Sequence, residues 1–236
     1  MLAKAITTLE ANPHEPSLRR SDTFFQEVQC AAAFGPEVPV KIKHLANDAI
    51  DDDQALEQLS IALLEWEPAT IAKLGTTQAV DVVHGGVKVN ALPESVYAIV
   101  NHRIAEHRCV PIPRVRSMKF KDHLLWSSVS KLQDRIIELM QPIAVQYNLT
   151  FHAFGARIAA GSGEGGQLVL TDAFDTALEP APTTPTIDSL QYEVLVGTIM
   201  AALLTSPNYE GSRVVVQPTL GLGKHGFPTS VVGNDV

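Results

Sequence analysis

The sequence predicts an α+β fold, because the periodicity of its apolar residues changes along the chain. From Met1 to about Trp66, apolar residues recur at the spacing of amphipathic helices. Thr77 to Val83 and Ser95 to Ile104 contain alternating β-branched residues, which is typical of strands. Helical spacing returns from Ser127 to about Tyr147, and Leu149 to Ala153 is again strand-like.

The order of these elements is helix, strand, strand, helix and strand. This is the order of a ferredoxin-like split βαβ unit whose first strand is missing. Pro142 lies inside the second helix and is expected to kink it or to end its regular part. A Pro-rich linker, Glu179 to Thr186, then precedes a strongly apolar helix, Leu190 to Leu204, and a short strand, Ser212 to Val216.

Two of the early helices carry sequence signals for their first residues. Ser21 and Asp22 supply an N-cap for the second helix. The acidic run Asp51 to Asp53 favours a helix N-terminus, because carboxylates there interact well with the helix dipole. A calcium-binding loop would instead require a glycine and a later glutamate at fixed positions, and this segment lacks them.

Composition excludes several classes of partner. The chain of 236 residues has a net charge of −8 and no basic stripe, which argues against binding to nucleic acid or to anionic membrane surfaces. The longest apolar run, Val194 to Leu204, is about half of the ~20 residues needed to span a bilayer. Cys30 and Cys109 are too few for a disulfide framework and are expected to be free thiols.

The second predicted strand contains the most suggestive side chains. Alternation along Ser95 to Ile104 places His102 on the apolar face and Arg103 on the opposite face. A histidine at such a position is typical of a structural residue. The planar guanidinium of Arg103 either binds a carboxylate ligand through two hydrogen bonds or forms a surface salt bridge. The residue pattern leaves both interpretations open.

Local motifs do not identify an activity. The eight histidines follow no metal-binding pattern, and the sequence contains no nucleophile elbow. The segment GSGEGG, Gly161 to Gly166, predicts a flexible loop and not a phosphate-binding one, because no Lys-Ser/Thr pair follows it. From the residues alone, the chain is an α+β domain of unknown activity.

Four segments carry a resemblance to a known family. The most specific is TTQAVDVVHGGVKVNALPESVYAIVNHRI, Thr76 to Ile104, which resembles the lid segment of the carboxypeptidase S branch of the zinc-dependent aminoacylase-like metallopeptidases. This branch includes the glycine-Xaa carboxypeptidases of fungal vacuoles. The other three segments are MLAKAITTLEANPHEP, ALEPAPTTPT and VVVQPTLGLG, so the resemblance extends from Met1 to about Gly223.

The resemblance implies a domain organisation. In that family, a smaller ferredoxin-like lid domain interrupts an α/β zinc-peptidase catalytic domain and also forms the dimer contact. Residues 1–173 would be the lid without its first strand, with a helical insertion at about 13–70. Residues 178–223 would be a fragment of the catalytic domain, and 224–236 an unrelated tail.

The resemblance also assigns roles to two residues. Asn90, in the segment Val-Asn-Ala-Leu-Pro, corresponds to a lid asparagine that reaches the active site of the partner subunit. Arg103 corresponds to the lid arginine that binds the free carboxylate of the substrate. An alternative for Asn90 is a turn residue in the left-handed conformation.

The motifs that supply the family's zinc ligands have no counterpart in this sequence. The resemblance therefore implies a truncated chain that contributes the lid and dimerisation surface, binds no zinc itself and lacks activity by itself. The full-length protein would be a vacuolar, homodimeric zinc metallocarboxypeptidase that cleaves a peptide bond next to a free C-terminal carboxylate. Two alternatives remain: an N-acyl amino-acid hydrolase of the same family, and a non-catalytic dimerisation or binding module.

Overall fold

A computed structural model describes residues 1–86, 88–90, 93–105, 128–173, 185–186, 188–209, 211, 213–219 and 231–234. Helices and strands are numbered here in chain order. The helices are α1 (Leu2–Glu10), α2 (Thr23–Phe34), α3 (Val40–Asp48), α4 (Asp53–Trp66), α5 (Ile71–Leu74), α6 (Ser128–Gln146) and α7 (Leu190–Leu204). The strands are β1 (Thr77–Gly85), β2 (Val96–Arg103), β3 (Thr150–Ala153), β4 (Ala156–Ile158), β5 (Gln167–Leu170), β6 (Arg213–Val216) and β7 (Val231–Asn234).

The described chain divides into two compact units. The first contains Met1–Glu15, Thr76–Ile104 and residues 128–173. The second contains Pro16–Gly75, Ala105 and the described residues from 185 onward. The structure thus groups the predicted helical insertion with the C-terminal segment. The predicted domain boundary at 173–178 falls mostly outside the described residues and stays a prediction.

The core of the first unit lies between two helices and the strands. Ala5 and Leu9 of α1 pack with buried residues of α6 and with Phe151 of β3, which is fully buried. Val100 of β2 is packed against the same cluster. Burying a phenylalanine side chain stabilises a fold by about 1.5–3 kcal/mol, so Phe151 is a principal contributor to this core.

The strands of the first unit form two separate sheets. β1 and β2 are an antiparallel pair with a bulge between Val80 and Val82. β3 is paired on both edges, with β4 antiparallel and β5 parallel. Within the described residues, β2 pairs only with β1, so its other edge is open. A strand placed between β2 and β3, as the ferredoxin-like plan requires, would have to displace β4 or β5.

A glycine-rich loop closes around Asn148, which has a φ of 52°. The Asn148 side-chain oxygen Oδ1 accepts hydrogen bonds from the backbone N–H and the hydroxyl of Ser162, at 2.7 and 3.1 Å. Its backbone oxygen accepts from the N–H groups of Gly163 and Gly165, both at 3.1 Å. A Cβ at Gly165 would clash with the carbonyl oxygen of Tyr147, so this position requires glycine. The loop predicted as flexible is therefore held by several hydrogen bonds.

The second unit has a helical core of its own. Its buried residues come mainly from α2, α3 and α4, with Leu59, Leu63 and Leu74 almost completely buried. Asp52 is the N-cap of α4 and accepts a hydrogen bond from the backbone N–H of Gln54 at 2.8 Å. The acidic run is therefore at a helix N-terminus, as predicted.

Most predicted elements are present, with ends that differ by one or two residues. The helix at Leu190–Leu204 is confirmed at both ends. α6 continues for one more turn after Pro142, to Gln146, so it does not end at this proline, which removes only one N–H donor. β4, β5 and β7 were not predicted. No helix in the described part of the chain is long and apolar enough to cross a membrane.

Candidate functional site

Arg103 is the last residue of β2, at the end of the hairpin far from its connection. Its backbone partner across the pair is Thr77 of β1. The burial pattern of β2 leaves Arg103 exposed and His102 half-buried, as the alternation predicts. Among the described residues, the Arg103 guanidinium has no carboxylate within ion-pair distance, which removes the surface salt bridge as an explanation in this part of the chain.

His102 lies on the opposite face of β2 from Arg103 and is held by neighbours. Its Nε2 is 3.0 Å from Oε1 of Gln78, the residue opposite it on β1. The ring of His14 approaches edge-on, with 6.0 Å between ring centroids. Burial lowers the pKa of His102, and a hydrogen bond with the backbone of Val100 opposes that effect in part. The structural role predicted for His102 agrees with this packing.

Gln78 and His14 had no place in the sequence prediction. Gln78 could have been found from the register of the hairpin, which sets it opposite His102. His14 follows the end of α1 and precedes β1 by more than 60 residues, so no local pattern connects it with His102.

Asn90 lies in the connection between β1 and β2, and its side chain is exposed. The non-glycine residues with positive φ in the described chain are Asn148, Phe154 and Asp188. Asn90 is not among them, so the alternative interpretation as a left-handed turn residue does not apply. The exposed amide can therefore contact another molecule or another part of a longer protein.

The structure does not bring Asn90 and Arg103 together. Asn90 precedes the first residue of β2, and Arg103 is its last residue. The eight residues of β2 extend over about 23 Å at ~3.3 Å per residue. One small substrate cannot contact both side chains in a single copy of the chain. If both act on substrates, they act at different sites or in different subunits.

The described residues do not fit a zinc site. No group of three or more His, Cys, Asp or Glu side chains in the described ranges is close enough to hold a metal ion. Zinc proteins use about four ligands of these types in structural sites and three in catalytic sites. A zinc centre would need ligands from outside this part of the chain.

The chain is similar to three yeast proteins that are named carboxypeptidases. It is 28% identical over 197 residues to carboxypeptidase S of Saccharomyces cerevisiae, a match that covers 84% of this chain and 30% of that protein. A putative carboxypeptidase of the same yeast matches with the same identity and coverage. An uncharacterized carboxypeptidase of Schizosaccharomyces pombe is 25% identical over 201 residues, covering 84% of this chain and 29% of the relative.

The chain spans about 30% of the length of these curated relatives. No protein-family model matches it, and no solved structure matches it significantly. All three relatives are named carboxypeptidases, and one of them is named carboxypeptidase S, the name of the branch that the segment Thr76 to Ile104 resembles. Over 84% of its length, this chain is therefore similar in sequence to carboxypeptidase S and to two other proteins of yeasts that are named carboxypeptidases.

Proposed function

We propose that this chain is the lid-containing part of a carboxypeptidase that hydrolyses the peptide bond next to a free C-terminal carboxylate. The observation that carries the proposal is the similarity to three proteins named carboxypeptidases over 84% of the chain. The chain contributes substrate recognition and a dimer surface. The hydrolytic chemistry belongs to the remainder of the full-length protein.

Arg103 recognises the substrate carboxylate in this proposal. Its guanidinium is exposed at the end of β2 and has no ion-pair partner among the described residues. The planar fork of an arginine can donate two parallel hydrogen bonds to a carboxylate, which lysine cannot do. A carboxypeptidase needs such a group, because the free carboxylate distinguishes its substrates from internal peptide bonds.

Asn90 acts on the active site of a partner subunit in this proposal. The length of β2 separates Asn90 from Arg103, so one copy of the chain cannot present both side chains to one substrate. This separation supports the assignment of the two residues to the active sites of different subunits. The lid would form the homodimer through the hairpin. Val82, Val83 and Tyr97 on the hairpin are exposed apolar side chains, and β1 has one unpaired edge within the described residues. Both features favour association with a second copy.

A ferredoxin-like lid is part of the same proposal. Both α1 and α6 contribute to the core that contacts β2 and β3. A ferredoxin-like lid would likewise have two helices packed on its strands. An additional strand could pair with the open edge of β2, provided that a neighbour of β3 moves. Zinc would be a cofactor of the full-length protein, with ligands outside the described residues. A vacuolar location is a further expectation, which fluorescence microscopy of a tagged full-length protein can check.

Hydrolysis assays with the purified full-length protein that contains this chain test the substrate class. We expect it to release leucine from glycyl-leucine and to leave glycyl-leucinamide largely intact. Faster cleavage of N-acetyl-leucine than of glycyl-leucine would instead support the N-acyl amino-acid hydrolase. No hydrolysis of either compound, with stable dimers present, would contradict the proposal and favour a non-catalytic dimerisation module.

A further inference from the structure

The first unit contains a polar cavity that the proposed lid function does not use. Its volume is about 250 Å³, and it lies beside the end of the β1–β2 hairpin. Thr76 and Ile104, which flank the hairpin, form one wall, and one face of α6 forms the other. The residues lining it are His14, Thr76, Ile104, Lys131, Leu132, Asp134, Arg135 and Glu138.

Two cations one helical turn apart line this cavity. Lys131 and Arg135 are both half-buried on α6. The Nη2 atom of Arg135 donates hydrogen bonds to the backbone oxygens of Asn12 and Pro13, each at 3.0 Å, so its guanidinium is held in place. Lys131 has no carboxylate within 4.0 Å in the described structure, although Asp134 is three residues away on the same helix. A partly desolvated ammonium group that no described carboxylate contacts directly favours an anionic ligand.

Two carboxylates also line this cavity. Asp134 and Glu138 are exposed and one turn apart on α6. Within the described ranges, neither forms an ion pair. Counting His14 as neutral, the charges around the cavity cancel. A simple anion such as phosphate would be attracted by the lysine and repelled by the carboxylates, whereas a ligand with both charges would interact favourably with each pair.

We propose that this cavity binds the zwitterion of a free α-amino acid. The carboxylate of the ligand pairs with Lys131 and its ammonium group pairs with Asp134 or Glu138. The cavity volume of about 250 Å³ accommodates an amino acid of the size of leucine. A free amino acid is also what a carboxypeptidase releases, so the site would respond to the reaction product. That physiological link rests on the proposed function, while the binding site itself does not.

Binding to the purified 236-residue chain tests the proposal. The probes are L-leucine, N-acetyl-L-leucine, L-leucinamide and inorganic phosphate, titrated at pH 7 by isothermal calorimetry or NMR. We expect saturable binding of leucine. Because each analogue lacks one charged group, its affinity should be lower by about tenfold or more. Binding of N-acetyl-leucine or phosphate as tight as that of leucine would overturn the proposal, and so would the absence of saturable leucine binding.

Variants locate the site. Lys131→Gln and the double variant with Asp134→Asn and Glu138→Gln should each weaken leucine binding about tenfold, since each removes the partners of one charged group of the ligand. Lys4→Gln, an exposed lysine of α1 with the same change of charge, should leave it unchanged. Equal effects of all three would contradict the assignment. Arg103→Ala should bind leucine as the unmodified chain does, because Arg103 does not line the cavity. Peptide hydrolysis by this variant therefore tests the proposed function, and leucine binding by the cavity variants tests the proposed site.

Discussion

At the scale of single residues, burial gives His102 a pH-dependent effect on stability. Its pKa is lowered in the folded chain, chiefly by desolvation, and its ring contacts Gln78 and His14. An unfolded chain has a histidine pKa near ~6.5. As the pH falls below that value, the unfolded state binds a proton first, so the free energy of unfolding decreases until the pH passes the folded pKa.

At pH values below ~6.5, we expect His102 to decrease the free energy of unfolding by at most about 1.4 kcal/mol for each pH unit. His102→Gln should reduce that pH dependence, because glutamine does not titrate. His84→Gln, at an exposed position on β1, is the control. Urea unfolding at pH 7 and pH 5 measures the effect. An unchanged pH dependence in His102→Gln would show that the burial of His102 has no thermodynamic consequence.

Asn148 provides a second test at this scale. Asn148→Ala loses the side-chain hydrogen bonds to Ser162 and Glu164. The alanine must also adopt a φ of 52° without the support of those hydrogen bonds. We expect a loss of about 1–3 kcal/mol in the free energy of unfolding. Asn148→Gly should lose less, since glycine adopts a positive φ without strain. Denaturant unfolding of both variants compares them, and a glycine variant less stable than the alanine variant would contradict the account.

At the scale of elements, α7 is apolar on all sides and has no buried residue in the described chain. Leu190 and Val194 are 70% and 60% exposed. A helix that is apolar all round is typically buried in a larger structure. Such an exposed surface predicts poor solubility or marginal stability, and a sharp cooperative melt of soluble protein above ~60 °C would contradict that expectation.

Substitution on this helix tests its exposure. The variant with Leu190→Glu and Val194→Lys should bind less of a hydrophobic dye and change the free energy of unfolding by only about 0.5 kcal/mol per site. Ile42→Lys is the comparison, since Ile42 is 2% exposed. It should cost about 3 kcal/mol or more, because an unpaired charge is buried. Equal losses for the two variants would mean that α7 is buried in solution.

The elements also explain how far the sequence could predict the fold. The helix at Leu190–Leu204 was predicted at both ends from its strongly apolar sequence, and the structure adds that the Ser189 side chain caps its first turn. β4 and β5 contain three and four residues, too few for a clear alternation, and their pairing with β3 depends on contacts distant in sequence. The ordered loop was missed for a similar reason, since its partner Asn148 lies 14 residues before Ser162.

The candidate site was predictable only in part. Alternation along β2 correctly set Arg103 on the exposed face and His102 on the half-buried one. The roles of Asn90 and Arg103 came from the resemblance and stay predictions. The polar cavity could not be inferred, because it combines the side chain of His14, the end of the hairpin and α6. Only the folded chain brings these segments together.

At the scale of the whole molecule, the account predicts a homodimer formed through the hairpin. Sedimentation velocity of the chain at micromolar concentration should show a dimer. Val83→Lys, at a side chain 59% exposed on β1, should weaken the dimer about tenfold or more, because the introduced charges repel each other and lose water. Val40→Lys, 67% exposed on α3, is the control. A compact monomer of the unmodified chain would contradict the prediction.

We propose that Arg103 recognises the free carboxylate of a peptide substrate. The most direct measurement is kcat/KM of the full-length protein for a peptide with a free carboxylate and for its amide-capped form. Arg103→Ala should lower kcat/KM for the free peptide at least about tenfold, since charge-assisted hydrogen bonds contribute ~1.5–3 kcal/mol each. The same substitution should change kcat/KM for the capped peptide little, because that peptide has no free carboxylate. Arg157→Ala, at an exposed residue of β4, is the control and should have the kcat/KM values of the unmodified protein. If Arg103→Ala hydrolyses the two peptides in the unmodified ratio, Arg103 does not bind the carboxylate and the claim is wrong.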